Sequence, residues 1–372
     1  MLIPPFVRVG ILNDSAGDAT SATTDLTGWL RREIDSVRAS GRLNAEVEIV
    51  QKYGLGLPEG SFAEVEQAFD ALVAEDVVLI VGPAIGDNAL LATPLAERTR
   101  VPMINWSGAE RARGDYMFHL QVGSHEDESL LIARHLAAIG AKRAAVVHDL
   151  SPIGDRHLEY LAIEGTIAGL EIVAAVGIDP LASEAGDAVR QALEASPQAF
   201  VYFGLGLSAP AVAQALTESG WAGPRIMNAA GMRGHDPAFA AKIEGWIYPD
   251  LYSDHNRTLA AVRDLAAPAF RSAVGHDIAR LVAEGLARAP ELTRDGVRLG
   301  LEQVKWLPAA EGKDGTLLGF GVHDRGALHG QYLVLRQWRH GRSVEILNTR
   351  RGQFRKPGSR LALFHDAVFR LR

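Results

Sequence analysis

The stretch VVLIVGPAIGDNA, from Val77 to Ala89, decides the fold. Its five leading apolar residues predict a buried strand, Gly82-Pro83 predicts a turn, and an alanine-rich helix follows. Such junctions in α/β proteins often hold ligands, because the first helical turn leaves backbone N–H groups without partners. The stretch is not a phosphate-binding loop, since no Gly-Lys-Ser/Thr follows and the third glycine of a dinucleotide-binding motif is missing.

Outward from this stretch, apolar strands alternate with amphipathic helices. Continuous apolar strands joined by helices predict an α/β fold with parallel sheets that are covered on both faces. The alternation runs twice, over about residues 7–105 and again over about 144–249. The predicted strands are 7–12, 45–52, 77–81, 103–105, 144–148, 171–176, 199–203, 225–228 and 245–249, with helices at 62–75, 130–139, 185–195, 209–219, 276–287 and 295–303.

Length and composition limit the class of protein. A chain of 372 residues with 47% hydrophobic residues is long enough for two domains with large cores. The net charge of −7 argues against nucleic acid as the main partner, and the lack of cysteine excludes disulfides, thiolate catalysis and Cys–zinc sites. No apolar run reaches the ~18 residues of a membrane helix. The first residues lack the features of a secretory signal, so we expect either a cytosolic protein or a chain that begins after a removed signal.

The last part of the chain differs from the rest. The stretch 315–338 predicts two strands around a turn at 324–326. Residues 336–372 hold ten Lys and Arg residues against two acids, Glu345 and Asp366. This basic extension either lies solvated or docked on the body of the protein, or binds an acidic partner.

No catalytic motif is present. The chain lacks both the G-x-S-x-G elbow of a serine nucleophile and the H-E-x-x-H zinc motif. Ser124 with Asp127 resembles a helix cap, whereas a metal site at His125 and Glu126 lacks a second histidine at helical spacing. His148-Asp149 ends a strand and has two possible roles, acid/base chemistry or lining of a cleft. The sequence therefore favours a non-enzyme with no metal or cofactor.

Several short motifs, in a fixed order, resemble type I periplasmic solute-binding proteins, and among them the branched-chain amino-acid and amide binders. The similarity covers about residues 5–346 and depends on the order and spacing of the motifs rather than on any single one. The motifs are Gly82-Pro83, Val101-Pro102-Met103-Ile104, Ser107-Gly108-Ala109, Phe118, His148-Asp149 and Gly154.

The resemblance implies two doubly wound parallel-sheet lobes, joined by three hinge crossings, that close on a small molecule. Lobe 1 would combine residues 1–120 with 251–325, and lobe 2 would combine 121–250 with 326–346. The crossings would fall near 120–123, 249–253 and 323–330, and residues 347–372 would form a basic C-terminal extension.

The resemblance also implies where a ligand would bind. Loops 84–88 and 105–109 of lobe 1 would hold its carboxylate or amide through backbone N–H groups and hydroxyls. The chain departs from the family pattern at three positions, with Gly86 for a serine, Ile153 for an aromatic residue and Ala230 for the acid that pairs with an ammonium group. A buried ammonium group without a carboxylate costs several kcal/mol. We therefore expect a small, partly apolar or aromatic ligand with a carboxylate or carbonyl end, rather than an ordinary α-amino acid.

Three of the implied site residues have two possible roles each. Trp106 would stack on a flat ligand or pack in the core. Asp87 would accept a hydrogen bond from the ligand or cap the helix, and Asn88 has the same two roles. Tyr252 would reach the cleft or pack at the hinge.

Leu205 and Leu207 follow a strand end in lobe 2 and are expected to form an apolar wall. The predicted ligand-binding residues are Ile85, Gly86, Asp87, Asn88, Trp106, Ser107, Gly108, Ala109, Ile153, Leu205, Leu207, Ala230 and Tyr252. We expect the extracytoplasmic substrate-binding component of an ABC importer, with a membrane permease as its partner. The alternatives are a cytosolic ligand sensor of the amide-regulator type, which regulates a partner protein, and an enzyme on the same fold.

Overall fold

The first half of the chain builds a five-stranded parallel sheet. A computed structural model of the chain describes residues 6–16, 24–232, 239, 242–264 and 269–346. The sheet has the order β2-β1-β3-β4-β5 and is connected largely by helices. These elements are β1 (Phe6–Asn13), α1 (Thr24–Ala39), β2 (Glu46–Tyr53), α2 (Phe62–Ala74), β3 (Val77–Val81), α3 (Gly86–Thr99), β4 (Met103–Asn105) and β5 (Met117–His119).

A second alternating series follows. Its helix α4 begins after Ser124, whose side chain accepts a hydrogen bond from the Asp127 N–H, so the predicted cap is confirmed. The series comprises α4 (His125–Ala138), β6 (Arg143–Asp149), α5 (Pro152–Ala168), β7 (Glu171–Ile178), α6 (Gly186–Glu194), β8 (Ala199–Phe203), α7 (Ala209–Glu218), β9 (Arg225–Met227), a 3₁₀ turn (Ala229–Met232) and β10 (Ile247–Asp250).

After β10 the chain returns to the first sheet. Helices α8 (Arg257–Val262), α9 (Ala269–Arg288) and α10 (Arg294–Glu302) precede a small antiparallel sheet of β11 (Leu307–Pro308), β12 (Leu317–Leu318) and β13 (Leu328–His329). The small sheet packs on the first lobe, since Leu318 and Leu328 share a core with β1 and α9. The predicted turn at 324–326 does separate two paired strands, β12 and β13.

The last described strands complete the second sheet. Strand β14 (Val334–Arg339) pairs antiparallel with both β10 and β15 (Arg342–Glu345). The second sheet therefore has seven strands in the order β15-β14-β10-β9-β8-β6-β7. The predicted extension at 347–372 lies outside the described residues.

Each main sheet is covered on both faces. One core of the first lobe packs α1 and α9 against the sheet, and a second core packs α2 and α3 against the opposite face. The second sheet also carries two separate cores. The chain crosses between the sheets three times, after β5, after β10 and between β13 and β14. The predicted fold class is confirmed, whereas the exact lobe boundaries stay predictions.

Strand predictions succeeded where the strands are central. Strands β3, β4 and β8 have the predicted bounds, because every residue in them is buried and apolar or nearly so. The short strand β5 and the hairpin partner β15 were not among the predicted strands, and α9 begins seven residues before the predicted 276. The first turns of α9 contain small and polar residues, which give little helical periodicity. No helix in the described ranges is long and apolar enough to span a bilayer.

Candidate ligand-binding cleft

A cavity of about 150 Å³ lies between the two main sheets. Most of its lining comes from segments that directly follow the carboxyl ends of parallel strands, which is where α/β proteins usually bind ligands. The lining residues are Ala84, Gly86, Trp106, Gly108, Val122, His125, Glu128, Ile153, His157, Leu205, Asn228, Ala229, Ala230, Met232, Asp250, Leu251 and Phe270. Predicted site residues among them are Gly86, Trp106, Gly108, Ile153, Leu205 and Ala230.

On the first lobe, the buried carboxylate of Asp14 shapes the loop before α3. One oxygen accepts a hydrogen bond from the Ala84 N–H at 2.8 Å, and the other accepts bonds from the Ile85 N–H at 3.1 Å and Asn88 Nδ2 at 2.8 Å. Ile85 occupies the N-cap position of α3, and its side chain cannot cap the helix. The first helical turn, beginning at Gly86, therefore faces the cavity with backbone donors that no N-cap side chain satisfies.

The second segment of this wall, 106–109, is held from behind. Ser107 Oγ donates to Asn105 Oδ1 at 2.8 Å and accepts a bond from the Ala109 N–H at 3.3 Å. These bonds direct the Ser107 hydroxyl into the loop, while Trp106 and Gly108 line the cavity. Trp106 also packs partly buried against the main core of the first lobe, so its two predicted roles are compatible.

Two histidines form the floor of the cavity between the lobes. The His125 and His157 rings lie 4.7 Å apart, and His157 stacks on Phe203 at 5.0 Å. His125 Nδ1 is 3.8 Å from Glu110 Oε2, beyond hydrogen-bond distance. Among the described residues, His125 Nδ1, His157 Nε2 and both Glu110 oxygens are buried without a hydrogen-bond partner. His125 Nδ1 faces Glu110, which does not line the cavity, whereas His125 Nε2 lies next to the lining residues Gly86 and Gly108.

The second lobe contributes two acids that sequence reasoning missed. Glu128 accepts hydrogen bonds from the Ser124 N–H at 2.8 Å and the Ala229 N–H at 2.6 Å. Asp250 accepts one from the Leu251 N–H at 2.8 Å, and burial raises the pKa of its carboxyl to about 7. The sequence predicted the lack of an acid around Ala230, which holds, but it gave no sign of these two acids, because they come from α4 and β10.

An apolar contact closes the mouth of the cleft. Ile85 from the first lobe packs against Ile153 and Leu205 from the second, and the three side chains are 2%, 4% and 7% exposed. Helix α3 also contacts α5 across the same gap. The structure therefore shows the closed arrangement of the two lobes.

The carboxylate of Asp149 positions the Leu205 segment. It accepts hydrogen bonds from the Leu205 N–H at 2.9 Å, Ser208 Oγ at 2.6 Å and Tyr202 Oη at 3.2 Å. Neither His148 nor Asp149 lines the cavity. The described residues contain no group of three or more His, Asp or Glu side chains that could hold a metal ion.

The remaining predicted residues lie behind the cavity lining or away from it. Asn88 is fully buried, and its Oδ1 accepts a bond from the Leu57 N–H at 3.1 Å, so it joins two loops of the first lobe. Ala109 packs in a small cluster with Ala89 and Ala112. Leu207 is 39% exposed.

Asp87 and Tyr252 also lie outside the lining. Asp87 does not cap α3, because that position belongs to Ile85; its Oδ1 is buried without a partner among the described residues, and burial raises its pKa to about 6. The Tyr252 ring lies 4.0 Å from the Arg336 guanidinium and packs against the cluster of Leu259 and Ala273. That position is at the second crossing.

The other missed lining residues share one signal. They lie at or after the ends of β5, β6, β9 and β10 or at the start of α9, and only their position near strand ends could have marked them. Asn228, for example, ties two strand ends together, since its Nδ2 donates to the Gly204 carbonyl at 2.9 Å. The missed residues are Val122, His125, Glu128, His157, Asn228, Ala229, Met232, Asp250, Leu251 and Phe270.

Comparison with known proteins identifies the family. A family model described as periplasmic binding protein matches residues 7–332. No curated protein sequence matches the chain. Among solved structures, a type 1 periplasmic binding protein from Bordetella pertussis Tohama I has a TM-score of 0.75 at 16% identity, covering 92% of this chain and 99% of that chain.

Two further structures show the same fold. The leucine-binding protein LivK from Thermotoga maritima has a TM-score of 0.74 at 16% identity, covering 92% of this chain and 98% of its own. A solute-binding protein of an ABC transporter from Rhodopseudomonas palustris, in complex with 4-hydroxybenzoate, has a TM-score of 0.72 at 15% identity, covering 92% and 95%. The family match over most of the chain confirms the resemblance deduced from the motif order, and the chain belongs to the periplasmic binding protein family.

Proposed function

We propose that this chain is the substrate-binding component of an ABC importer and that its cleft binds a small, partly apolar or aromatic ligand with a carboxylate or carbonyl end. The observation that carries the proposal is the closed cavity between two walls of opposite polarity. A helix start without a capping side chain lies on one side of the cavity, and acids lie on the other.

The first wall suits the polar end of the ligand. The amides at the start of α3 point their donors and the positive end of the helix dipole toward the cavity, which favours a carboxylate or carbonyl oxygen. Asp14 already accepts hydrogen bonds from the Ala84 and Ile85 N–H groups and from Asn88, so the amides proposed for the ligand are those of the first helical turn from Gly86 onward.

Apolar side chains suit the body of the ligand. Trp106, Ile153, Leu205 and Met232 line the cavity from both lobes, and a flat ring would stack on the indole. Structural relatives bind leucine in one case and 4-hydroxybenzoate in another, and both compounds combine a carboxylate with an apolar part.

An ordinary amino acid would meet two carboxyl groups rather than none. Both Glu128 oxygens already accept backbone hydrogen bonds, and the raised pKa of Asp250 leaves that carboxyl partly protonated near neutral pH. An ammonium group would have to compete with these backbone hydrogen bonds and with the proton on Asp250, which favours carboxylates that lack an ammonium group.

The transport role rests on family membership. Members that serve importers deliver their ligand outside the cytoplasm to a membrane permease, and we assign both the extracytoplasmic location and the permease partner to this chain on that basis. Closure by hinge motion supplies the signal that a permease reads.

The test is native mass spectrometry of the purified protein, followed by isothermal titration with benzoate, 4-hydroxybenzoate, phenylacetate, leucine and valine. We expect an aromatic or partly apolar carboxylate to bind with 1:1 stoichiometry. Tight binding of leucine or valine, with the aromatic acids silent, would contradict the proposed ligand class.

A variant that fills the cavity sharpens this test. A methyl group on Gly108 would face His125 at 3.7 Å and meets no backbone clash, so Gly108→Ala should weaken binding at least about tenfold without unfolding the protein. Gly186→Ala is the matched control, because a methyl group there meets nothing within 4 Å. Equal affinity in the two variants would place the ligand elsewhere.

A further inference from the structure

The histidine pair on the cleft floor contains one ring that faces the expected position of the ligand's polar end. A methyl group on Gly86 would lie 3.9 Å from His125 Nε2, and one on Gly108 would lie 3.7 Å from it. Both glycines line the cavity, so this nitrogen borders the same space as the first turn of α3. The side chain of His125 is only 3% exposed.

The other nitrogen of the ring faces Glu110. Nδ1 lies 3.8 Å from Oε2 of that carboxylate, and neither atom has a hydrogen-bond partner among the described residues. An acid behind a histidine orients the ring and stabilises its protonated form. The geometry is that of a carboxylate–histidine pair in which the second ring nitrogen, Nε2, faces the cleft.

We propose that His125, supported by Glu110, binds the ligand's carboxylate through Nε2 and takes up one proton from solvent as the anion enters. This inference rests on the proposed function and names the group that selects a carboxylate over a neutral carbonyl. The step balances: a neutral imidazole, one proton from solvent and the ligand anion give an imidazolium–carboxylate pair, in which one N–H bond forms on the ring and no bond of the ligand changes.

The surroundings of His125 keep the ring neutral while the cleft is empty. Burial lowers its pKa well below the usual value, and four cationic or titratable neighbours act in the same direction. These are His157 and Arg156 on α5, His119 on β5, and Arg111 beside Glu110 in the loop before β5. An anion placed against Nε2 opposes these effects, so the protonated form becomes favourable only in the complex.

The coupling has a defined sign. Because the complex holds one proton more than its separated components, affinity must rise as pH falls. Where a full proton is taken up, the Kd for a carboxylate should increase about tenfold for each unit of increasing pH. A neutral amide of the same shape gains nothing from the imidazolium and should show no such dependence through His125.

His157 is the rival candidate. Its Nε2 also lacks a partner, but it lies 3.7 Å from Glu128 in the second lobe, and its ring stacks on Phe203. Only the ring of His125 is placed against both glycines of the first wall. Separate variants distinguish the two histidines.

The experiment is isothermal titration with benzoate and benzamide at pH 7, each in phosphate and in Tris, whose ionisation enthalpies differ. The dependence of the observed enthalpy on the buffer gives the number of protons taken up. We expect about one proton for benzoate and about zero for benzamide. His125→Gln should abolish the benzoate proton and weaken benzoate at least about tenfold, while Glu110→Gln should reduce the proton number.

The control is His135→Gln, because His135 lies on the same helix, is also buried with a lowered pKa, and does not line the cavity. It should leave both affinity and proton number unchanged. Benzoate binding without proton uptake, or with uptake that persists in His125→Gln and disappears in His157→Gln, would overturn this inference and leave the proposed function intact. Failure of every carboxylate to bind would overturn both.

Discussion

The two walls of the cleft are each organised by one carboxylate, yet they present opposite chemistry. On the first wall, Asp14 lies behind the loop and uses both oxygens to hold Ala84, Ile85 and Asn88. On the second wall, Glu128 itself lines the cavity while it accepts bonds from backbone N–H groups. The first arrangement occupies the Ala84 and Ile85 amides and leaves the first helical turn from Gly86 at the cavity, whereas the second leaves a carboxylate at the cavity.

This difference between the walls favours one orientation of a bound ligand. A ligand with a carboxylate at one end is attracted to the first wall and repelled by the second, so its orientation follows from the walls rather than from its shape alone. Asp250 at the second wall makes the contrast depend on pH, because its carboxyl can donate a hydrogen bond when protonated and only accept when ionised.

Removal of the hidden carboxylate should have the largest effect. Asp14→Ala leaves two buried backbone donors and the Asn88 amide without their acceptor, and we expect the free energy of unfolding to fall by about 3 kcal/mol. Urea denaturation measures the change. Asp70→Ala, on the exposed face of α2, is the control and should stay within about 0.5 kcal/mol. A loss below about 1 kcal/mol for Asp14→Ala would mean that the loop is held by other contacts.

The equivalent change on the second wall should be milder. Glu128→Gln keeps one acceptor oxygen but turns an NH₂ group toward a backbone N–H, and we expect a loss of about 1.5 kcal/mol in urea denaturation. Glu159→Gln on the exposed side of α5 provides the matched control, with a change near zero. If Glu128→Gln and Asp14→Ala lowered the free energy of unfolding equally, the proposed contrast between the walls would be contradicted.

The pH dependence of the free energy of unfolding should show the next largest effect, and it distinguishes Asp87 in the first lobe from Asp250 in the second. Burial raises the pKa of Asp87 to about 6 and that of Asp250 to about 7, so the folded state holds these protons more tightly than the unfolded state. The resulting stabilisation is complete below the unfolded pKa of about 4 and is lost as pH rises through the folded values.

The free energy of unfolding should therefore fall as pH rises, and each variant should reduce that fall. Asp250→Asn should reduce it up to about pH 7, and Asp87→Asn should reduce it up to about pH 6. Each reduction should be on the order of 1 kcal/mol. Asp277, whose pKa burial also raises to about 7, contributes in the same direction, so part of the slope should remain. Urea denaturation from pH 4.5 to 8 measures it. The assignment of raised pKa values to Asp87 and Asp250 would be contradicted if wild-type stability rose over this range and both variants showed the same pH dependence as the wild type.

The smallest effect on stability should come from the contact between the walls. Leu205→Ala removes an apolar side chain that packs between the lobes rather than in either lobe's core, so we expect at most about 1 kcal/mol in unfolding but a shift toward the open form. Small-angle scattering should report a larger radius of gyration in the absence of ligand. Leu207→Ala, exposed two residues away, is the control. Equal radii in the two variants would show that this contact does not govern closure.

Sequence reasoning reached the first wall because its features are local. One strand, one turn and one helix start within thirteen residues predicted the loop that contains Gly86, and β3 and β8 have the predicted bounds because they are apolar throughout. The same reasoning could not separate Asn88, which bonds to Asp14, from a ligand contact, since the partner lies 74 residues away along the chain.

The acids of the second wall were missed because this wall is assembled from distant segments, although Ile153, Leu205 and Ala230 were predicted and line the cavity. Glu128, Leu205, Ala230 and Asp250 meet only after five strands have aligned, and no local pattern distinguishes an acid that lines a cleft from one that faces solvent. The absence of an acid near Ala230 was read correctly from the sequence, but that segment gave no sign of Glu128, which bonds to the Ala229 N–H from another helix.

The most direct test of the two-wall account is a crystal structure of the protein with the tightest-binding carboxylate of the titration series. The account predicts that the carboxylate lies within about 3 Å of a backbone amide in the first turn of α3 and of His125 Nε2, with the apolar part between Trp106 and Leu205. A carboxylate bound against Glu128 and Asp250, or a ligand outside the cavity, would contradict it.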